Sequence, residues 1–163
     1  MGWRRAVSRE WIELMTRYEG IPQFHHDDPE RLGVLLVNLG TPSAPTRPAL
    51  KRYLRQFLWD PRVVEVPRPL WWLLLHGLIL NTRPGRSARA YAKIWGPEGS
   101  PLLAIGRRQA AALQAALEGE WPGRIVVNLG MCYGEPAIAG ALHELLQRGA
   151  RRLLVLPLYP QYA

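Results

Sequence analysis

Gly33-Val34-Leu35-Leu36-Val37-Asn38-Leu39-Gly40-Thr41-Pro42 is the stretch that decides how this chain is read. It opens as an apolar run and is closed by Gly40, Thr41 and Pro42. A run of this length between turn residues reads as a strand buried on both faces. Such strands belong to parallel sheets covered by helices. In open sheets of that kind, ligands bind just past the carboxyl ends of the strands. The expected site is therefore at Asn38 to Pro42. Pro42 and Pro45 then bar regular structure until a helix starts near Pro48.

Outward from that strand, Pro48 to Trp59 keeps a helical spacing of apolar residues through Leu50, Tyr53, Leu54, Phe57 and Leu58. Asp60-Pro61 ends it. Val63 to Val66 reads as a short extended piece, Leu70 to Leu80 as an apolar helix, and Ser87 to Trp95 as a separate helix. Gly96 to Pro101 is a loop, and Leu102 to Leu117 a further helix. Arg124 to Gly130 reads as the second strand. Its end, Val127-Asn128-Leu129-Gly130, repeats Val37 to Gly40 letter for letter. The repeat suggests two neighbouring parallel strands that end in the same turn and feed one site; chance recurrence of common residues is the alternative. Ala137 to Arg148 is the crossover helix, closed by Gly149, and Arg152 to Leu158 the third strand. This order implies an α/β fold: a three-layer parallel sheet flanked by helices, Rossmann- or flavodoxin-like. Residues 1–31 read as a leader or linker and 32–163 as one α/β domain. The chain stops at Ala163 inside a strand-end loop, so the domain reads as truncated.

The 163 residues suffice for one core. Lys and Arg number 21 against 13 Asp and Glu, a net charge of +8, and only Lys51 and Lys93 are lysines. Arginine forks grip carboxylates and phosphates. Nucleic acid, acidic lipid or a small polyanion are the partners this balance allows; a solvated arginine-rich surface explains it equally. Cys132 is the only cysteine. That excludes an intrachain disulfide and fits a reducing cytoplasm. Met1 to Arg31 lacks the apolar core of a secretory signal. Leu70 to Leu80 is about half a bilayer span, so no transmembrane helix is read in it. In the leader, Ser8 to Tyr18 reads as a short amphipathic helix. His25-His26-Asp27-Asp28 resembles a metal motif, but adjacent side chains diverge, and a solvated linker is the better reading. Gly-x-Gly-x-x-Gly and Gly-Lys-Ser/Thr are both absent, so nothing here cradles a nucleotide's phosphates.

Several motifs together carry a resemblance. Asn38-Leu39-Gly40-Thr41-Pro42, Arg83-Pro84, Gly99-Ser100-Pro101-Leu102, Met131-Cys132-Tyr133-Gly134-Glu135-Pro136 and Leu156-Pro157-Leu158-Tyr159-Pro160-Gln161-Tyr162 occur in this order. In sequence and spacing they resemble the first half of ferrochelatases, which insert ferrous iron into protoporphyrin IX. The resemblance covers Leu32 to Ala163 and does not reach the leader.

A porphyrin needs a broad apolar slot and donors for its two propionates. Trp71, Trp72, Leu74, Leu75, Leu78 and Ile79 are the residue types for an apolar lip, although such a helix is usually core. The resemblance places Arg83, Tyr91 and Ser100 at propionate contacts. Tyr133, read in the turn after the second strand, and Tyr159, after the third, fall at the same sheet edge as Leu39, where they can line the macrocycle. Tyrosines beside glycine and proline also simply shape turns. Cys132 stands where family members carry arginine or a small polar residue, so no cationic role is expected there. The resemblance places the family's catalytic histidine and acidic residue in the second half. His76 and His143 match neither position, so no catalytic residue and no metal ligand is assigned in this chain. No organic cofactor is expected, with Fe²⁺ as a substrate. The implied partners are protoporphyrin IX, ferrous iron and a missing C-terminal half of the same enzyme. No nucleic acid is expected, and peripheral membrane contact stays open. A non-catalytic tetrapyrrole-binding module, or a chelatase for another tetrapyrrole or metal, are the alternative readings.

Overall fold

A computed structural model describes residues 29–159. The expected leader helix at Ser8 to Tyr18 and the His25 to Asp28 cluster lie outside the described residues. Strand β1 spans Arg31–Thr41, followed by helix α1 at Arg47–Trp59. Helix α2, Arg68–Leu74, passes through a π-helical turn at Leu75–Ile79 into α3, Leu80–Ala92. Helix α4 is Pro101–Glu120, β2 Ile125–Gly134, α5 Ile138–Gln147 and β3 Ala150–Pro157. Prolines stand in the first turn of α1, α2 and α4. Their fixed φ suits that turn, and their missing N–H is not needed there.

The sheet is parallel in the order β2-β1-β3. The stretch read first as doubly buried is the central strand, and Val34 to Val37 are all buried. One face packs Leu35, Val37 and Val126 against Ala141 and Leu145 of α5. The other packs Val34, Leu36, Val127, Leu129 and Met131 against Leu103, Leu113 and Leu117 of α4. A separate cluster, Leu58, Trp71, Leu75 and Leu80, joins α1 to the α2–α3 run. There the Trp71 Nε1–H donates to the Leu58 carbonyl at 2.8 Å. Strand β3 is the open edge, and Leu153, Leu154, Val155 and Leu156 remain between 43 % and 51 % exposed.

Three expectations are corrected. Leu70 to Leu80 and Ser87 to Trp95 are not separate helices: helical backbone runs from Arg68 to Ala92, despite Pro84 inside it. Proline removes a donor from the ladder, and the π turn widens it. Side chains donate to carbonyls of the π turn ahead of the proline. Asn81 Nδ2 donates to the His76 and Gly77 carbonyls at 3.0 Å each, and Thr82 Oγ1 to the Leu78 carbonyl at 2.9 Å. Val63 to Val66 is not extended throughout: Val63 closes a turn and a bend follows at Val66, and Val64 and Val66 pack onto the Leu58–Trp71 cluster. Strand β2 does not end at Gly130 but continues to Gly134.

That last difference changes the meaning of the repeated tetrapeptide. The two strands are indeed parallel neighbours, but Asn128 pairs with Leu35, while Asn38 pairs with Met131. The copies are three residues out of register. Each asparagine makes the same local bond, its Oδ1 accepting from the next N–H: Leu39 at 2.8 Å and Leu129 at 2.9 Å. Asn128 also donates through Nδ2 to the Ala141 carbonyl and to Glu144, tying down α5. The first copy shapes the strand end; the second anchors a helix from mid-strand.

Candidate functional site

The carboxyl ends of the strands meet as tightly as backbones allow. Gly40 faces Tyr133, and Thr41 faces Gly134. Gly40 has φ of +118°, and a Cβ there would overlap the Tyr133 carbonyl. Gly134 has φ of +83°, and its Cβ would come within 2.5 Å of the Thr41 carbonyl oxygen. Only glycine meets both demands. This close approach carries the ladder to the sheet's edge and sets Leu39, Cys132, Tyr133 and Tyr159 around one opening.

The opening is a cleft of about 1290 Å³. Its floor is Leu35, Val37, Leu39, Ile138, Leu142, Leu153 and Val155, the sheet face and helix α5 beside the open edge. Tyr133, Cys132 and Tyr159 stand at the strand ends, and Gln56, Trp59, Asp60, Pro61, Arg62 and Arg68 form the outer wall. Gln56 Oε1 accepts from the Gly134 N–H at 3.0 Å, joining wall to strand end.

Asp60 is the hub of the wall. Its side chain is only 10 % exposed. Oδ1 accepts from Arg62 N at 2.8 Å and Nε at 3.1 Å; Oδ2 accepts from Arg62 Nη2 and from the Tyr133 hydroxyl, both at 2.9 Å. The Arg62 bonds, more than any other influence, hold the Asp60 carboxyl well below the usual carboxylate range. Burial first, and the bond to Asp60 second, push the Tyr133 phenol up to about 12. Tyr133 is thereby a neutral donor whose proton is committed to Asp60, and its ring meets Phe57 edge-on at 5.1 Å. Tyr159 OH and Cys132 Sγ lie 3.5 Å apart, and that contact raises the Tyr159 phenol.

The six sequence-assigned residues do not gather in one place. Leu39, Tyr133 and Tyr159 line the cleft. Tyr133 reaches it from within β2, not from a turn after it. Ser100 is buried, and its Oγ lies 2.8 Å from Thr41 Oγ1 at the end of β1. Tyr91 is half-buried, packs against Trp95 at 6.3 Å, and has its phenol raised by burial. Tyr53, whose hydroxyl donates to the Gly40 carbonyl at 3.1 Å, is close enough to Tyr91 for their charges to interact. Ser100 and Tyr91 thus belong to a group beyond Gly40 and Thr41. Arg83 is exposed on α3, and none of the three lines the cleft. Of the expected lip, Trp71 and Leu75 are core, whereas Trp72, Leu74 and Leu78 are exposed.

Sequence reading missed Asp60 and Arg62, because Asp60-Pro61 already served as a helix stop. An Asp with an Arg two residues later, beyond a helix end, was the available signal. It becomes informative only once Tyr133, 73 residues away, is seen to donate to the same carboxylate.

Because the folded state holds Asp60 below its unfolded value, its contribution is fully present above that unfolded value and is lost progressively as pH falls from there towards the lower folded value. Stability should therefore drop as pH is lowered below about 4. Asp60→Asn should flatten that limb while lowering stability at pH 7. Urea midpoints measured from pH 7 to pH 3 check this; parallel curves for the two proteins would contradict it.

Among the described residues, no helix is long and apolar enough to cross a membrane. The Ferrochelatase family profile matches residues 31–163. Over 146 residues the chain is 56 % identical to a protein named ferrochelatase from Marinobacter nauticus, and over 147 residues 58 % identical to one from Thioalkalivibrio sulfidiphilus. A third, from Idiomarina loihiensis, is 54 % identical over 147 residues. Each match takes in 90 % of this chain and 40 % of the relative, so the chain spans about two fifths of the length of the curated relatives it matches. Residues 31–163 are 133 of 163, less than that 90 %, so the similarity begins before Leu32, inside the segment read as leader. With a family profile across the whole α/β unit and its strand-end motifs gathered at one edge of the sheet, this chain belongs to the ferrochelatase family.

Proposed function

We propose that this chain is the porphyrin-holding portion of a ferrochelatase, which joins protoporphyrin IX and Fe²⁺ to give protohaem and two protons. The observation that carries the reading is the cleft: a wide apolar floor, aromatic residues at the strand ends, and a cationic wall. Its volume exceeds the range of roughly 300–1,000 Å³ usual for small-ligand pockets, as a macrocycle requires. Leu39, Tyr133 and Tyr159 supply flat contact for the ring. The bonds that fix Tyr133 to Asp60 keep that wall from adjusting to the substrate's resting shape. A rigid wall favours a bent ring, whose pyrrole nitrogens are better presented to a metal. Iron is a substrate in this reaction, and no organic cofactor takes part. The relatives' remaining length is where the proton acceptor and the metal-side wall are expected.

A cytoplasmic setting belongs to the same reading, supported by the single cysteine. So does peripheral membrane contact. Leu70, Trp72, Leu73 and Leu78 are exposed, and Arg52 and Arg55 stand beside Trp72. Apolar and cationic residues side by side suit a surface of anionic lipid.

Titration of the chain with protoporphyrin IX, followed by porphyrin fluorescence, tests the cleft. One porphyrin should bind per chain. Leu39→Asp should weaken binding by roughly tenfold or more, since burying a carboxylate against an apolar ring costs more than 1.4 kcal/mol. Unchanged affinity in that variant would remove the cleft as the binding place.

A further inference from the structure

We propose that Arg62 is a carboxylate-binding fork over the mouth of the cleft, and that Asp60 is the residue that positions it. The inference rests on the reading of the cleft as a porphyrin site and names the contact that selects free-acid porphyrins there. Neither residue is among those the family resemblance pointed to.

A guanidinium presents N–H groups along two usable edges. Asp60 occupies the side edge of Arg62, through Nε and Nη2. The end edge, where Nη1 sits, is left over. The Arg62 side chain is 88 % exposed, so that edge is hydrated and accessible. Arg62 also lines the cleft. Arginine's side chain ordinarily loses much rotamer freedom on gripping a ligand. Here Asp60 has already ordered it, and Tyr133 has already ordered Asp60. A carboxylate on the rim of a flat apolar ligand seated against Tyr133 and Tyr159 meets a pre-set donor pair.

The charge of the wall separates positioning from simple attraction. The charged residues lining the cleft are Arg62, Arg68 and Asp60, a balance of +1. Removing the Asp60 charge raises that balance to +2. Plain attraction then predicts tighter binding of an anion. Positioning predicts weaker binding, because the fork is released.

The test uses the chain with protoporphyrin IX and with its dimethyl ester, by fluorescence titration at low and high salt. Arg62→Ala and the gentler Arg62→Lys should each weaken free-acid binding, Ala by about tenfold and Lys by less, with ester binding unchanged. Asp60→Asn should weaken free-acid binding severalfold. Wild-type preference for the free acid should shrink at high salt. Free-acid affinity unchanged in Arg62→Ala overturns the fork, and equal loss for acid and ester in Arg62→Lys does the same by pointing to a damaged cleft. Tighter free-acid binding by Asp60→Asn overturns the positioning role. If wild type binds neither porphyrin, the reading of the cleft fails, a result distinct from a wild type that binds and an Arg62 variant that matches it.

Discussion

Alanine at position 40 is expected to lower the unfolding free energy by about 3–5 kcal/mol, the range of severe single substitutions. Two costs add. The backbone at Gly40 has φ of +118°, where a side chain costs on the order of 1–2 kcal/mol. The new Cβ would also overlap the Tyr133 carbonyl, part of the neighbouring strand's backbone. A flexible side chain can swing away from such a clash, but a paired strand cannot. Relief requires the ends of β1 and β2 to separate, which breaks the pairing of Gly40 with Tyr133 and Thr41 with Gly134. Set against a total stability of roughly 5–15 kcal/mol, such a loss removes a large share of it. Gly99→Ala is the control. Gly99 has φ of +93°, but the nearest atom to its Cβ is Trp95 Cζ2 at 4.0 Å. That variant bears the backbone cost alone, about 1 kcal/mol. Urea unfolding of both variants separates the two costs, and equal midpoints would contradict the close approach at the strand ends.

This polypeptide on its own is expected to insert no iron above the uncatalysed rate. Insertion releases two pyrrole protons, which need an acceptor. Among the described residues that line the cleft, Asp60 is the one carboxylate, and its oxygens are engaged by Arg62 and Tyr133. The same bonds make it a poor base. Burial and the Asp60 bond push the Tyr133 phenol up to about 12, so at neutral pH it holds its proton. His76 stacks on Trp72, and its Nδ1 lies 3.1 Å from the Trp72 carbonyl, away from the cleft lining. His143 bonds Gln147 on the surface of α5. Proton transfer by a positioned group contributes roughly 10²–10⁴-fold, so activity should fall below that of a full-length relative by at least this factor. Anaerobic assay with protoporphyrin IX and ferrous iron measures it. Turnover within tenfold of a full-length relative would contradict the assignment of the acceptor to the length this chain does not span.

The sheet was legible because its signals are local and strong. An apolar run closed by Gly40, Thr41 and Pro42 has few other solutions, and it is the central strand with both faces covered. The helices on either side follow from apolar spacing. What escaped depends on contacts made at a distance. Leu70 to Leu80 and Ser87 to Trp95 read as two helices, yet helical backbone runs through Pro84, with Asn81 and Thr82 bonded back onto carbonyls of the π turn. The second Val-Asn-Leu-Gly reads as a strand end, yet register puts it three residues inside the strand. In the site, Leu39, Tyr133 and Tyr159 follow from their places at strand ends. Arg83, Tyr91 and Ser100 follow only from resemblance and are not gathered into the cleft. Asp60 and Arg62 were hidden because a carboxylate's role is set by everything that donates to it, and Tyr133 is far away in sequence.

The central claim is that a porphyrin seats at the carboxyl edge of the sheet. A rival apolar groove of about 590 Å³ exists at the opposite end, where Leu32, Leu113, Leu117, Trp121, Ile125 and Leu154 meet. Its margin holds an exposed Arg152–Glu30 ion pair at 3.9 Å, but no phenol lines it. The most direct measurement is a crystal structure of the chain with metal-free protoporphyrin IX. The ring is expected over Leu39, against Tyr133 and Tyr159, with a propionate at Arg62. A ring lodged instead beside Trp121 and Leu117 would contradict the account.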